Sequence, residues 1–207
     1  WNPRQYSEDK NGRLDDKPYG GGPGMILQPD PIIKTVEAIK RKDETYVICM
    51  APHGKVLNQQ KLLDLSQKKN ITIISGRYEG IDNRVEESCV DEVCSVGDYI
   101  LNGGELPALI LLEGISRLVE GILGDENSVL EESFNDGLLE FPQYTRPENS
   151  EYGNVPEVLL SGNHSDIRRW RLKESLRRTL SLRPDLIESR QLTSEEKELI
   201  DEIKGEG

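Results

Sequence analysis

The sequence predicts an α/β fold with a parallel sheet, and three observations carry that prediction. Residues 46–51 (YVICMA) and 71–74 (ITII) are short, apolar and β-branched runs, the pattern of strands buried on both faces. Segments with helical spacing alternate with them, at 31–41 and 57–68. A third strand is expected around 92–96, and each strand runs into glycine: Gly54, Gly76 and Gly97.

Taken in order, the chain opens with a polar stretch and then a loop with four glycines in five positions, Tyr19-Gly20-Gly21-Gly22-Pro23-Gly24-Met25. So many glycines exclude a helix or an ordinary strand. The loop is either a linker or a functional loop stiffened by Pro23 and anchored by Tyr19 and Met25. In 31–41, Ile32, Ile33, Val36 and Ile39 share one helical face. Residues 57–68 carry Leu57, Leu62, Leu63 and Leu65 at helical positions. Residues 98–107 (DYILNGGELP) lead into the most apolar helix, expected over 108–123, with more than one apolar stripe and therefore more than one buried side or a partner subunit. Arg117 lies inside it, so it pairs with an acid, reaches the rim or awaits an anionic ligand.

Residues 124–137 lose all periodicity and read as an acidic linker, in which Glu131 and Glu132 are by composition solvated charges. The tail is a second, helical unit. Its segment 164–183 concentrates Arg168, Arg169, Arg171, Lys173, Arg177, Arg178 and Arg183 against Asp166 and Glu174. This is either a face balancing acids of the same protein or a contact for phosphate backbones. Thr193 or Ser194 caps a final helix.

Composition narrows the function. The 207-residue chain carries a formal charge of −12, so nucleic acid is held only through a local basic patch working against the overall field. No apolar run approaches the ~20 residues of a membrane span. Three cysteines and two histidines make no zinc-ligand spacing; Cys49, inside an apolar run, reads as a core thiol, and the cysteine usage reads as a reducing, cytosolic compartment. Glycine loops at the carboxyl ends of strands predict a ligand site there. No GxGxxG and no P-loop lysine motif marks it as a dinucleotide or nucleoside-triphosphate site.

Five strings go further: YGGGPGM at 19–25, SGRYEGID at 75–82, SVGDYILNGGELPA at 95–108, YTRPE at 144–148 and LLSGNHSDIRRWR at 159–171. Together, in this order, they resemble the bacterial tRNA (guanine-N1)-methyltransferases of the TrmD family, over nearly the whole chain and more weakly after about residue 190. The resemblance implies a SPOUT-type α/β domain with a C-terminal trefoil knot, a rare exception to unknotted topology, followed by a small α-helical C-terminal domain. It implies boundaries at 1–123, a flexible linker at 124–138 and a tRNA-contacting domain at 139–207. In the family a strand and helix precede the position of Trp1.

The implied activity is methylation of N1 of the guanine at tRNA position 37, just 3′ of the anticodon, by a cytoplasmic homodimer with active sites at the subunit interface. S-adenosylmethionine is the methyl donor, and Mg²⁺ enters by resemblance only. The implied cofactor residues are Pro52, Gly54, Gly76, Tyr78, Glu79, Val96, Gly97, Asp98, Tyr99, Ile100, Leu101, Gly103, Gly104 and Pro107. Those implied for tRNA are Asp15, Asp16, Gly24, Ser133, His164, Arg168, Arg169 and Lys173. Arg117 matches an arginine that supports the purine oxygen. Glu132 stands where the family string Glu-Asp-Ser-Phe has its catalytic aspartate, and is the expected general base. A silent tRNA-binding homologue, or a SPOUT enzyme acting on another RNA, are the rival expectations.

Overall fold

The computed structural model describes residues 1–119, 121 and 133–206, so Glu131 and Glu132 lie outside the described residues. The chain divides into two compact units, Trp1–Gly124 and Asp125–Gly207.

In the first unit, β1 (Asp15–Asp16) and β2 (Ile26–Leu27) form a short antiparallel ribbon around the glycine loop. Helix α1 (Pro29–Lys42) follows, with prolines and Asp30 in its first turn and Lys40, Arg41 and Lys42 in its last, which suits the helix dipole. Then come β3 (Tyr46–Val56), α2 (Gln59–Ser66), β4 (Ile71–Ser75), α3 (Asn83–Cys89), β5 (Glu92–Ser95) and α4 (Glu105–Ser116). Side chains of Asn58 and Asp82 cap α2 and α3 by accepting from the Lys61 and Arg84 backbone N–H groups. The three longer strands form a sheet of order β4-β3-β5, parallel throughout, as the apolar runs and helical crossovers predict.

Alternation along central β3 sets the two cores. Val47 faces a cluster with Ile32 and Val36 of α1 and Val85 and Cys89 of α3. Ile48 and Met50 face the other side, with Leu65 of α2, Cys94 of β5 and Leu111 of α4. Each fully buried aliphatic side chain contributes roughly 1.5–3 kcal/mol relative to exposure.

Two expectations need correction. The strand predicted to stop at residue 51 resumes: Met50 and Lys55 both lie opposite Cys94, so residues 51–54 loop out before Val56 pairs with Ser95. The apolar helix predicted over 108–123 begins at Glu105, and its helical turns end at Ser116, with Arg117 as C-cap. Its second apolar stripe is open: Leu106, Leu109, Ile110 and Leu112 are each at least half exposed.

In the second unit a two-stranded hairpin, β6 (Asn149–Ser150) and β7 (Gly153–Asn154), precedes helices α5 (Glu157–Leu160), α6 (His164–Leu182), α7 (Pro184–Glu188) and α8 (Ser194–Gly205). Leu138, Leu176, Leu199 and Ile200 form its core. Thr193 starts α8 with a full capping box to Glu196.

The cationic helix α6 is matched against α8. Arg168 pairs with Glu195 at 2.6 Å, Arg169 with Glu202 at 2.6 Å and Glu198 at 3.0 Å, and Lys173 with Glu202 and Glu206 at 2.8 and 2.7 Å. Donation from Arg169 and Lys173 holds the Glu202 carboxyl at about 2, below its ordinary 4.5. Lys173 and Arg177 lower Glu206 in the same way. Because these carboxyls are depressed in the folded state, the ladder's contribution is whole above their unfolded pKa and is lost as pH falls through the folded one. The melting temperature is therefore expected to fall between about pH 4.5 and 2, and to fall less in Glu202→Gln, as followed by circular dichroism. These groups are solvent-facing, so 1 M salt should shrink the difference.

Candidate functional site

Burial and strand ends together make the site. A cleft of about 330 Å³ opens at the carboxyl ends of β3, β4 and β5. Its walls are the looped-out segment of β3, the loop after β4 and the loop between β5 and α4. Of the expected cofactor residues it gathers Pro52, Gly76, Tyr78, Glu79, Val96, Gly97, Tyr99, Ile100, Leu101, Gly103, Gly104 and Pro107.

Gly54 and Asp98 do not line the cleft. Gly54 is packed on β5: a Cβ there would sit 2.6 Å from the Val93 carbonyl and the Cys94 backbone nitrogen. It is what lets the looped-out segment return onto β5. Asp98 is exposed in its loop. The cleft also takes in His53 and Glu86, bonded to each other at 3.0 Å, and the buried thiols of Cys49 and Cys94. The His53 position follows a strand end and glycine follows it, which was a usable signal. Glu86 sits mid-helix in α3, where a glutamate reads as solvated.

The walls are tied to each other. Gly104 N–H donates to the Gly76 carbonyl at 2.8 Å, Arg77 and Gly103 form a bridge, and Arg77 Nε donates to Glu105 Oε1 at 2.5 Å. The Glu105 carboxyl lies below its ordinary range because a backbone N–H at the start of α4 and Arg77 both stabilise the anion. A Cβ on Gly104 would stand 2.9 Å from Gly76 N and Ser75 Cα, so only glycine allows the two loops this approach. Within the β5–α4 loop, Ser95 Oγ both donates to the Gly97 carbonyl and accepts from its N–H.

The glycine loop 19–25 is stitched beside this cleft. Glu79 N–H donates to the Met25 carbonyl, and Leu27 N–H to the Gly80 carbonyl, both at 3.0 Å. A Cβ on Gly24, whose φ is +82°, would collide with the Glu79 side chain. Tyr19 at the tip is fully exposed. Asp16 lines a second, larger cleft of about 640 Å³ between the ribbon and α1, with Lys17, Tyr19 and Arg84; Asp15 and Gly24 do not.

The electrostatics of the first cleft select its chemistry. Burial pushes the Cys49 thiol up to about 12, with the Glu86 charge adding to the shift, and burial pushes Cys94 up to about 11. Both stay protonated near neutrality and are poor nucleophiles. Arg77 is already held by Glu105, while Glu79 and Glu86 contribute carboxylates. Small residues, loop backbone and net negative lining fit a neutral or cationic small molecule, and disfavour polyphosphates. Among the described residues, no three His, Cys, Asp or Glu side chains gather as a metal-ligand set.

Of the remaining expected residues, Arg117 is an exposed C-cap of α4, and its backbone N–H donates to the Glu113 carbonyl at 3.3 Å. In the second unit, Ser133 Oγ accepts from Glu140 N–H at 2.9 Å and His164 is exposed at the start of α6. Arg168, Arg169 and Lys173 are held in the ladder with α8.

A sequence model described as tRNA (Guanine-1)-methyltransferase TrmD matches residues 1–189. The tRNA (guanine-N(1)-)-methyltransferase of Dictyoglomus turgidum is 50% identical over 206 residues, covering 100% of this chain and 83% of that protein. The enzymes of the same name from Vibrio cholerae and Syntrophomonas wolfei are 50% and 52% identical, over 98% of this chain and 83% and 82% of theirs. With a cleft walled by the same glycine strings that carry the resemblance, and a match over nearly its full length, the chain belongs to the TrmD family of tRNA (guanine-1)-methyltransferases.

Proposed function

We propose that this chain transfers a methyl group from S-adenosylmethionine to N1 of a guanine in tRNA, the guanine just 3′ of the anticodon. The observation that supports it most is the cleft at the strand ends, glycine-cradled and negatively lined, in a chain half identical to enzymes named for this reaction. Pro52, Gly76, Tyr78, Val96, Tyr99, Leu101, Gly103, Gly104 and Pro107 would hold the donor, whose bound form supplies an electrophilic methyl group.

The chain's own residues handle the proton. Guanine N1 carries one at neutral pH, and its lone pair is free to react only once that proton leaves. Glu132 takes it as general base. The negative charge spreads to the purine oxygen, where Arg117 stabilises it. Asp15, Asp16 and Gly24 approach the anticodon loop, and Ser133, His164, Arg168, Arg169 and Lys173 contact the tRNA. For the last three to meet phosphates, the backbone must compete with the carboxylates of α8.

The finer features of the reading are a trefoil knot in the β5–α4 region, a cytoplasmic location and a homodimer with active sites at its interface. The open stripe of α4 supports the dimer: Leu109 and Leu112 are 58% and 55% exposed. Sedimentation should give twice the monomer mass, and Leu109→Glu should give monomer; a monomeric parent at micromolar concentration refutes it. Mg²⁺ dependence is carried by resemblance alone and is checked by activity after chelation, with and without added Mg²⁺.

The decisive experiment is radiolabelled methyl transfer to two tRNA transcripts, one with guanine and one with adenine just 3′ of the anticodon. Label in the first alone is the expected result. Label in both moves the target to another nucleotide. Label in neither, with the donor bound, leaves a silent tRNA-binding protein.

A further inference from the structure

Glu86 is the unusual carboxylate of the cleft. It lines the cleft from α3, and its side chain is only 18% exposed. Among the described residues it has one hydrogen-bond partner, His53 Nε2, which is itself 64% exposed. A carboxylate has room for about four donors, so Glu86 keeps acceptor capacity. Its field reaches the cleft floor, where it adds to the burial that raises the Cys49 thiol.

The other charged groups around the cleft are accounted for. Arg77 is engaged by Glu105. Glu79 is exposed and lies against Gly24 of the glycine loop. Among the described residues that leaves Glu86 as the more enclosed of the two carboxylates lining the cleft. An enclosed carboxylate favours a cation and is indifferent to a neutral group of the same shape.

We propose that Glu86, oriented by His53, is a specificity-determining residue that makes the cleft prefer a positively charged methyl donor over its neutral demethylated product. This rests on the reading of the cleft as the S-adenosylmethionine site. Transfer of the methyl converts a sulfonium to a neutral thioether. The attraction to Glu86 is present before transfer and gone after it, so the product is held more weakly than the donor.

The test is calorimetric binding, without tRNA, of three ligands: S-adenosylmethionine, S-adenosylhomocysteine, and sinefungin, which carries a protonated amine near the sulfonium position. Glu86→Gln keeps size and hydrogen bonding but removes the charge. It is expected to weaken S-adenosylmethionine and sinefungin about tenfold, the weight of one charge contact at a partly solvated site. S-adenosylhomocysteine should change by no more than about twofold, and Glu86→Asp should restore most of the discrimination. Equal losses for all three ligands would make Glu86 a hydroxyl acceptor or a structural group and overturn the proposal, as would no loss for any. A parent protein that binds none of the three overturns the cofactor reading itself, an outcome distinct from either.

Discussion

Glu132→Ala is expected to lower single-turnover methyl transfer by about 10²–10⁴-fold, the usual contribution of a positioned general base, while donor affinity stays at the parent value. The split follows from the chemistry. Removing the base leaves the N1 proton in place, so the lone pair is withheld, but nothing that holds the donor is touched. Arg117→Ala should cost about 10²–10³-fold by withdrawing the charge that stabilises the purine oxygen. Glu132→Asp separates strength from reach. Reference pKa values of the two carboxyls differ by only ~0.4, so base strength is nearly the same. Reach differs by a methylene, and ~1 Å of misplacement can change the rate by ~10². Glu132→Asp should therefore be at least as fast as the parent, matching the residue that the family string carries there. Parent-level transfer by Glu132→Ala refutes the assignment.

Gly54→Ala is the second large effect, and its origin is steric. The new methyl would stand 2.6 Å from three backbone atoms of Val93 and Cys94, and backbone cannot rotate aside. Either β3 and β5 separate or the looped-out segment shifts, and that segment carries Pro52 and His53 into the cleft. Overpacking of this kind costs about 1–3 kcal/mol, which for a chain of this length lowers the melting temperature by roughly 2–12 °C. Donor binding should fall with it, because one wall moves. Gly205→Ala in α8, where a Cβ meets nothing beyond its own helix, is the control and should melt no lower than the parent does. An unchanged melting temperature for Gly54→Ala would mean the bulge adjusts freely and is not set by the contact with β5.

Much of the α/β unit was legible because its signals are local. The runs at 46–51 and 71–74 are β-branched and apolar over the span that pairs, and the helical faces of α1 and α2 repeat within a few residues. The return of β3 onto β5 was not legible. It depends on a backbone contact between residues some forty positions apart, and the sequence offers only a glycine there. The open stripe of α4 was half legible: its excess of apolar residues announced a second contact, but which ones meet Leu65 and Met50 is decided by packing.

The tail shows the same division. Cations at 168, 169, 173 and 177 were visible as a charged helix face, with two uses open. Their partners at 195, 198, 202 and 206 were equally visible as acids of another helix, but no local rule pairs helices separated by a turn and a short α7. In the cleft, glycine strings identified most of the lining, since backbone approach demands glycine and glycine is conspicuous. Glu86 was missed because one carboxylate on a short helix has no sequence signature of burial.

By itself, then, the sequence determined the strands and helices that alternate in the α/β unit, the glycine-bearing ends of those strands and the family, each of which is written in contiguous residues. The tertiary structure decided which charges are matched, which carboxylate is enclosed and where β3 resumes. Those depend on distances between segments far apart in the chain, and electrostatic and steric energies follow those distances rather than the order of residues.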